Sequence, residues 1–193
     1  MKQLASIIIP FLILSACQSS NNSKDPADST TVQLEENLAL QPEVKDELTS
    51  FLAVLPEKTL PFTDSTNYEN FKGEGQVNLG VLQLLKFNPD YPKPEDIRFR
   101  YQVKFNHGIR GLVLTFPNSE SDLKTVLLTL DSNNQRLDVI EIAYDEIIES
   151  AFKLISVLEK DIITSEHWNY FFEEPKSEHK VYKLQENLRF VQQ

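Results

Sequence analysis

Apolar and polar side chains alternate most regularly between residues 97 and 106. The apolar positions of this segment are Ile97, Phe99, Tyr101, Val103 and Phe105. Alternation with a period of two predicts a β-strand with one apolar face. The residues that follow, Asn106-His107-Gly108, predict a three-residue turn with glycine in the left-handed conformation. Such a turn would place Tyr101 opposite Val113, so we predict a β-hairpin with a shared apolar face.

Strand-like patterns continue to the end of the sequence. They cover residues 123–130, 136–144, 151–158, 162–172, 179–185 and 188–192. Turn-forming residues separate them, notably Asp131-Ser132-Asn133-Asn134 and Pro175-Lys176-Ser177. This succession predicts an antiparallel meander of about seven to eight strands, arranged as an open sheet or as a partly open barrel.

Helical spacing of apolar residues precedes the strands. The repeating positions are Val44, Leu48, Phe51, Leu52 and Leu55. Pro42 suits a first helical turn and Pro56 would stop the helix, so we predict a helix over residues 42–54. A weaker helical pattern covers residues 76–87, where Gly80 is unfavourable. The predicted fold class is α+β and mostly β, in a single globular domain over residues 32–193 that is helical over 32–90 and β-rich over 96–193.

The first residues have the layout of an export signal, with basic Lys2 followed by an apolar run from Leu4 to Leu14. This run is too short to span a bilayer, which requires about 20 apolar residues. Its ending, Leu14-Ser15-Ala16-Cys17, resembles the lipobox of bacterial lipoprotein precursors. The resemblance covers residues 1–17 only. It implies a signal peptide over residues 1–16, cleavage before Cys17, and a diacylglyceryl group on the Cys17 thiol.

The residues after Cys17 are typical of a tether. Residues 18–31 read QSSNNSKDPADSTT and contain no large apolar side chain, so we expect residues 17–31 to form a lipidated cysteine and a disordered linker. The resemblance therefore implies a protein held at a membrane of the bacterial envelope by its lipid. Gln18, which is not acidic, is compatible with transport to the outer membrane rather than retention at the inner one. The mature domain resembles small uncharacterised bacterial lipoproteins, without a motif that transfers a function.

Charge and cysteine content restrict the possible partners. The chain has 19 Lys and Arg residues against 29 Asp and Glu residues, a net charge of −10. Such a charge disfavours nucleic acid and anionic lipid as general partners, because both attract clusters of Lys and Arg. With Cys17 as the single cysteine, no intrachain disulfide can form, and stability must come from an apolar core.

No motif predicts a catalytic site, a metal site or a cofactor. The three histidines, at positions 107, 167 and 179, are not spaced like metal ligands, and a lipidated cysteine excludes thiol catalysis. The segment that begins at Asp131 lacks the glycine and the terminal glutamate of a calcium loop and is interpreted as a polar turn. The acidic group of Glu141, Asp145, Glu146 and Glu149 could hold two cooperating carboxylates, although a solvated face is the favoured interpretation.

Two groups of residues are candidate binding sites. The first is a basic row, Arg98, Arg100, Lys104 and Arg110, which could bind an anionic group of a glycan, lipid or protein. The favoured alternative is that acidic residues on neighbouring strands neutralise the row. The second is the aromatic segment with Trp168 and Phe171, which could contact a sugar or a protein. Alternation favours burial of Trp168, Tyr170 and Phe172 in the core, with Phe171 on the opposite face.

These observations lead to two hypotheses about function. The first is a lipid-anchored, non-enzymatic protein that binds an envelope protein or glycan, for example an inhibitor or immunity-type protein against a basic secreted enzyme. The second is an envelope lipid or glycan carrier, or an enzyme, with a pocket inside the β-sheet. A deep cavity lined by Phe99, Tyr101 and Trp168 would favour the second hypothesis.

Overall fold

A computed structural model describes residues 42–146 and 151–193 of the chain. The predicted signal peptide, Cys17, the tether and Glu149 lie outside the described residues. Within them are two α-helices, α1 (Pro42–Val54) and α2 (Leu79–Leu84), and two short 3-10 turns, Pro94–Asp96 and Asn106–Gly108. The strands are β1 (Glu57–Lys58), β2 (Phe62–Asp64), β3 (Arg98–Lys104), β4 (Arg110–Pro117), β5 (Asp122–Leu130), β6 (Arg136–Glu146), β7 (Phe152–Leu158), β8 (Ile162–Asn169), β9 (Lys176–Leu184) and β10 (Phe190–Gln192).

All of these strands belong to one mixed sheet in the order β1-β3-β4-β5-β6-β7-β8-β9-β10, with β2 paired to β7. Only β1 and β3 run parallel among the described pairs. The sheet is not closed into a barrel, which confirms the α+β, mostly β class and selects the open form of the predicted meander. None of the described helices has the length and apolar composition that a membrane span requires.

The helical predictions are confirmed in one case and shortened in the other. Helix α1 matches the predicted bounds, whereas α2 is much shorter than the pattern over residues 76–87. Asn78 explains where α2 begins, because its side chain accepts a hydrogen bond from the Val81 amide at 3.0 Å. The Gln102 side chain donates to the carbonyls of Leu52 and Leu55, at 2.7 and 2.9 Å. Strand β3 thereby satisfies two carbonyls at the end of α1 that no helical partner can reach.

The sheet separates two apolar clusters. The helix-side cluster contains Leu48, Phe51, Leu52, Leu55, Val81, Leu82, Leu85, Ile97, Phe99, Leu112, Leu114, Phe116, Val126, Leu128 and Leu130. The second cluster contains Tyr101, Val103, Phe105, Ile109, Val113, Leu127, Ile140, Ile142, Leu158, Ile163, Leu184 and Phe190. Among the described residues, strand β6 pairs with β7 only through Tyr144 and Asp145. The second cluster joins residues of β7 to β10 with residues of β3 to β6, so strands β7 to β10 cover the face of the sheet that the helices leave free.

A β-bulge at Arg100 corrects the predicted face of β3. Phe99 lies opposite Leu114 and Tyr101 lies opposite Val113, so Arg100 has no partner in the register. The predicted pairing of Tyr101 with Val113 is confirmed. The prediction of one continuous apolar face is wrong, because the bulge sends Phe99 into the helix-side cluster and Tyr101 into the second cluster.

Gly111 is the tightest point of the hairpin between β3 and β4. A Cβ atom at this position would lie 2.6 Å from Leu127 Cδ1 and 2.8 Å from Val103 Cγ2. The turn before it is the predicted one, with His107 and Gly108 both at positive φ, 56° and 74°. A larger residue at position 111 would therefore have to displace the buried side chains of its neighbours.

Two polar contacts hold β2 and β10 in place, since each of these strands pairs with the sheet over only three residues. In the first, the Tyr101 hydroxyl donates to Asp64 Oδ2 at 2.6 Å, and the Thr66 amide donates to Asp64 Oδ1 at 2.9 Å. In the second, Arg189 donates to the Leu137 carbonyl at 2.6 Å and to Asp138 at 2.7 Å. The first contact holds β2 against the second cluster, and the second ties the residue before β10 to the start of β6.

Candidate binding surface

Five aromatic side chains lie where β7 begins, β8 ends and β9 begins. They are Phe152, Trp168, Tyr170, Phe171 and Phe172, and we call this group the aromatic end. Trp168 is half-buried, whereas the exposed fractions of the other four side chains are 41%, 43%, 61% and 48% in the same order. Large apolar side chains at these exposures are a candidate interaction surface.

The polypeptide leaves the sheet at Asn169, three residues before the predicted end of this strand. The Asn169 side chain accepts a hydrogen bond from the Phe171 amide at 3.0 Å, which turns the chain. The Tyr170 amide donates instead to the Ala151 carbonyl at 2.8 Å. Alternation therefore stops, and the predicted burial of Tyr170 and Phe172 in the core is wrong.

Ring contacts hold the aromatic end in a defined arrangement. Phe152 and Phe171 meet edge to face with their centroids 5.4 Å apart, and Trp168 stacks on Tyr170 with centroids 5.9 Å apart. The Phe172 ring has the Lys176 ammonium group 4.0 Å from its centroid. Such contacts orient the rings in solvent, so that less conformational entropy is lost when a partner covers them.

Five carboxylates lie at the ends of β5 and β6, which precede β7 in the sheet order, and directly after Phe172. We call them the acidic rim, and they are Asp122, Asp145, Glu146, Glu173 and Glu174. The sheet register places Asp145 opposite Lys153, the residue after Phe152, and Asp122 opposite Glu146. Glu173 and Glu174 are exposed and follow Phe172 directly. The field of the rim reaches neighbouring phenols: burial raises the pKa of Tyr144, and Asp122 and Glu146 raise it further.

The acidic group predicted from the sequence is divided among structural contacts. Glu141 forms an ion pair with Lys124 at 2.9 Å, and Asp145 accepts a hydrogen bond from the Tyr68 amide at 2.9 Å. Glu149 lies outside the described residues. Within the described chain no group of three or more His, Cys, Asp or Glu side chains could hold a metal ion.

The predicted basic row does not form one surface. Arg98 lies between two residues of the helix-side cluster and Lys104 between two residues of the second cluster, so their side chains leave opposite faces of β3. The Arg100 guanidinium lies 4.9 Å from the centroid of the Phe71 ring. Lys104 lies opposite Arg110 in the register and forms an ion pair of 2.8 Å with Glu57. At Lys104 the structure therefore matches the alternative of neutralisation by a neighbouring strand.

The three histidines occupy separate surroundings. His107 is an exposed turn residue, and His179 Nε2 lies 3.5 Å from a Glu166 carboxylate oxygen. Burial, and then the positive charge of Lys180, lower the pKa of His167 below its ordinary value.

The pocket that would have favoured a carrier or an enzyme is not formed by its three predicted residues. Phe99 belongs to the helix-side cluster, Tyr101 to the second cluster, and Trp168 to the aromatic end. One surface groove of about 450 Å³ runs beside α2 along Leu82 and Phe87. Another, of about 420 Å³, is lined by Phe99, Arg100 and Tyr101 but not by Trp168.

The sequence predicted only part of the aromatic end and of the acidic rim. Trp168 and Phe171 were predicted as candidate contact residues from the sequence, whereas Phe152, which lies in the preceding strand of the hairpin, was not.

Comparison of the chain with protein-family models, with curated proteins and with solved structures finds no match.

Proposed function

We propose that this chain is a lipid-anchored protein of the bacterial cell envelope that binds a protein or another envelope component through its aromatic end. The observation that carries the proposal is the solvent exposure of Phe152, Tyr170, Phe171 and Phe172 at one end of the sheet. Aromatic side chains are enriched among the residues that dominate binding energy at protein interfaces.

The size of the aromatic end suits a binding surface. A buried aromatic side chain removes about 150–250 Å² from water, so four half-exposed rings offer several hundred Å² of contact area. The largest apolar patches of ordinary monomers reach about 300–600 Å² and are often functional. Phe152 lies in β7, whereas Tyr170, Phe171 and Phe172 lie in the short connection between β8 and β9, which the hydrogen-bonded sheet holds at both ends.

The anchor in this proposal is Cys17, joined to the domain through residues 18–31. A flexible linker of that length has an end-to-end distance of about 20 Å. The domain would then stay within a few nanometres of the bilayer, where its effective concentration towards other envelope components is high. A modest intrinsic affinity at the aromatic end would suffice for binding.

The anchor is tested with Cys17→Ser. We expect wild-type protein in the membrane fraction, released only by detergent, and variant protein that is uncleaved or soluble. Recovery of wild-type protein from the soluble fraction without detergent would exclude the lipid anchor.

The binding surface is tested by placing a photo-crosslinking amino acid at position 171 in the full-length protein in its native membrane. The matched control is position 54, because Val54 is equally exposed but lies on α1. We expect a discrete adduct from position 171 and none from position 54. Identical adduct patterns from the two positions, or none from either, would contradict the proposal.

A further inference from the structure

We propose that the partner of the aromatic end is a cationic protein surface, whose Lys and Arg side chains meet the acidic rim and the faces of the exposed rings. This inference rests on the proposed function of the aromatic end as a binding surface. It adds the chemistry of the partner, which the exposure of apolar area alone does not specify.

The side chains next to the aromatic end carry a net negative charge. The carboxylates of the acidic rim outnumber the ammonium groups of Lys153 and Lys176, the basic residues that lie among them. Lys124 adds nothing to this balance, because Glu141 neutralises it. An apolar surface rimmed by one sign of charge attracts the opposite sign, which accelerates association and excludes partners of like charge.

Cationic side chains already lie over aromatic rings within this molecule. Lys176 lies over Phe172 and Arg100 lies over Phe71, with cation-to-centroid distances of 4.0 and 4.9 Å. Phe171 is the most exposed ring of the aromatic end and has only Phe152 against it among the described ring contacts. A Lys or Arg side chain of a partner can occupy the free face of Phe171 as Lys176 occupies Phe172.

A membrane surface fits the same observations less well. Glu173 and Glu174 follow the exposed rings without an intervening residue, so the rings cannot enter a bilayer without bringing two carboxylates with them. Carboxylates are costly inside a membrane and are repelled by anionic headgroups. A cationic protein surface turns the same two carboxylates into favourable partners.

Trp168 provides the readout for a test, because it is the only tryptophan of the chain and stacks on Tyr170 in the aromatic end. The chain from Gln18 onward keeps every residue of both apolar clusters, which lie between Leu48 and Phe190. The probe is a synthetic peptide of alternating Arg and Leu, and the matched control is the same peptide with Glu in place of Arg. We expect a saturable change in Trp168 fluorescence with the Arg peptide, lost at 1 M salt, and none with the Glu peptide.

Variants separate a local effect from net charge. Glu173→Gln with Glu174→Gln should weaken binding of the Arg peptide about tenfold at low salt, since two charges close to the bound cations are removed. Glu159→Gln with Glu186→Gln changes net charge equally at the opposite ends of β8 and β9 and should change affinity less than about twofold. Equal losses in the two double variants would overturn the inference.

Other outcomes are also decisive. If phospholipid vesicles but not the Arg peptide change the Trp168 fluorescence, the partner is a membrane and the inference is wrong. If the Arg peptide has no effect while position 171 still crosslinks a protein in native membranes, the binding surface stands and only its cationic partner is refuted. If the Arg peptide binds but no adduct forms at position 171, the proposed function fails separately.

Discussion

Replacement of Tyr101 by Phe isolates one buried hydrogen bond. The Tyr101 hydroxyl donates to Asp64 at 2.6 Å, and the Asp64 side chain is only 3% exposed. The ring itself would keep its edge-to-face contact with Phe62, at a centroid distance of 5.1 Å. The substitution therefore removes the donor with little change in packing. A hydrogen bond to a charged group contributes about 1.5–3 kcal/mol, and an acceptor left unsatisfied in a core is the costly case, so we expect a loss of about 2–3 kcal/mol in the free energy of unfolding.

Urea unfolding followed by circular dichroism measures this loss. With a slope of about 2 kcal/mol per molar urea, the midpoint should fall by about 1 M while the slope stays unchanged. Tyr91→Phe is the matched control, because Tyr91 is 51% exposed, and its effect should stay below about 0.5 kcal/mol. In Asp64→Asn with Tyr101→Phe, the combined loss should be smaller than the sum of the two single losses. A Tyr101→Phe loss no larger than that of the control would refute the reasoning.

Three further predictions concern the core, the alkaline range and the C-terminal strand. Gly111→Ala should lower the free energy of unfolding by about 1–3 kcal/mol, because the new Cβ overlaps Leu127; unchanged chemical denaturation would contradict this. Burial and Asp64 raise the pKa of Tyr101, so the folded form stays neutral above pH 10 while the unfolded form ionises, and stability falls as the pH rises. Tyr101→Phe should make that fall shallower by about 1.4 kcal/mol per pH unit in alkaline titrations of unfolding, and an unchanged slope would exclude the linkage. Arg189→Gln should speed hydrogen exchange in β10 but not in β4, because it breaks the contact with Asp138; equal protection in β10 would argue that the contact is not needed.

The meander could be predicted because each long strand carries its own pattern. Strands β5 to β9 fall within a few residues of their predicted positions, and α1 has its predicted bounds. The short strands β1 and β2 could not be predicted in the same way. Strand β1 consists of Glu57 and Lys58, and it exists because β3 offers an edge, which is a contact between distant parts of the chain.

The burial of Tyr170 and Phe172 was mispredicted because alternation is a property of extended backbone. The sequence alternates as far as Phe172, but the Asn169 side chain bonds to the backbone and ends the strand first. The basic row is divided between the two faces of β3 for a related reason. The residues of the basic row share a face only if the strand is regular, and the residue types around Arg100 do not indicate a bulge. Both errors come from local backbone geometry that outweighs the hydrophobic pattern.

The bulge at Arg100 also makes this position the place where β3 can lose a residue. Phe99 and Tyr101 already pair with the consecutive residues Leu114 and Val113, so deletion of Arg100 would leave a regular ladder with both side chains on their present faces. Deletion of Gln102 would instead turn Val103 towards the helices and Lys104 into the second cluster. Among sequences that share this fold, a one-residue gap should therefore occur at position 100 and not at position 102.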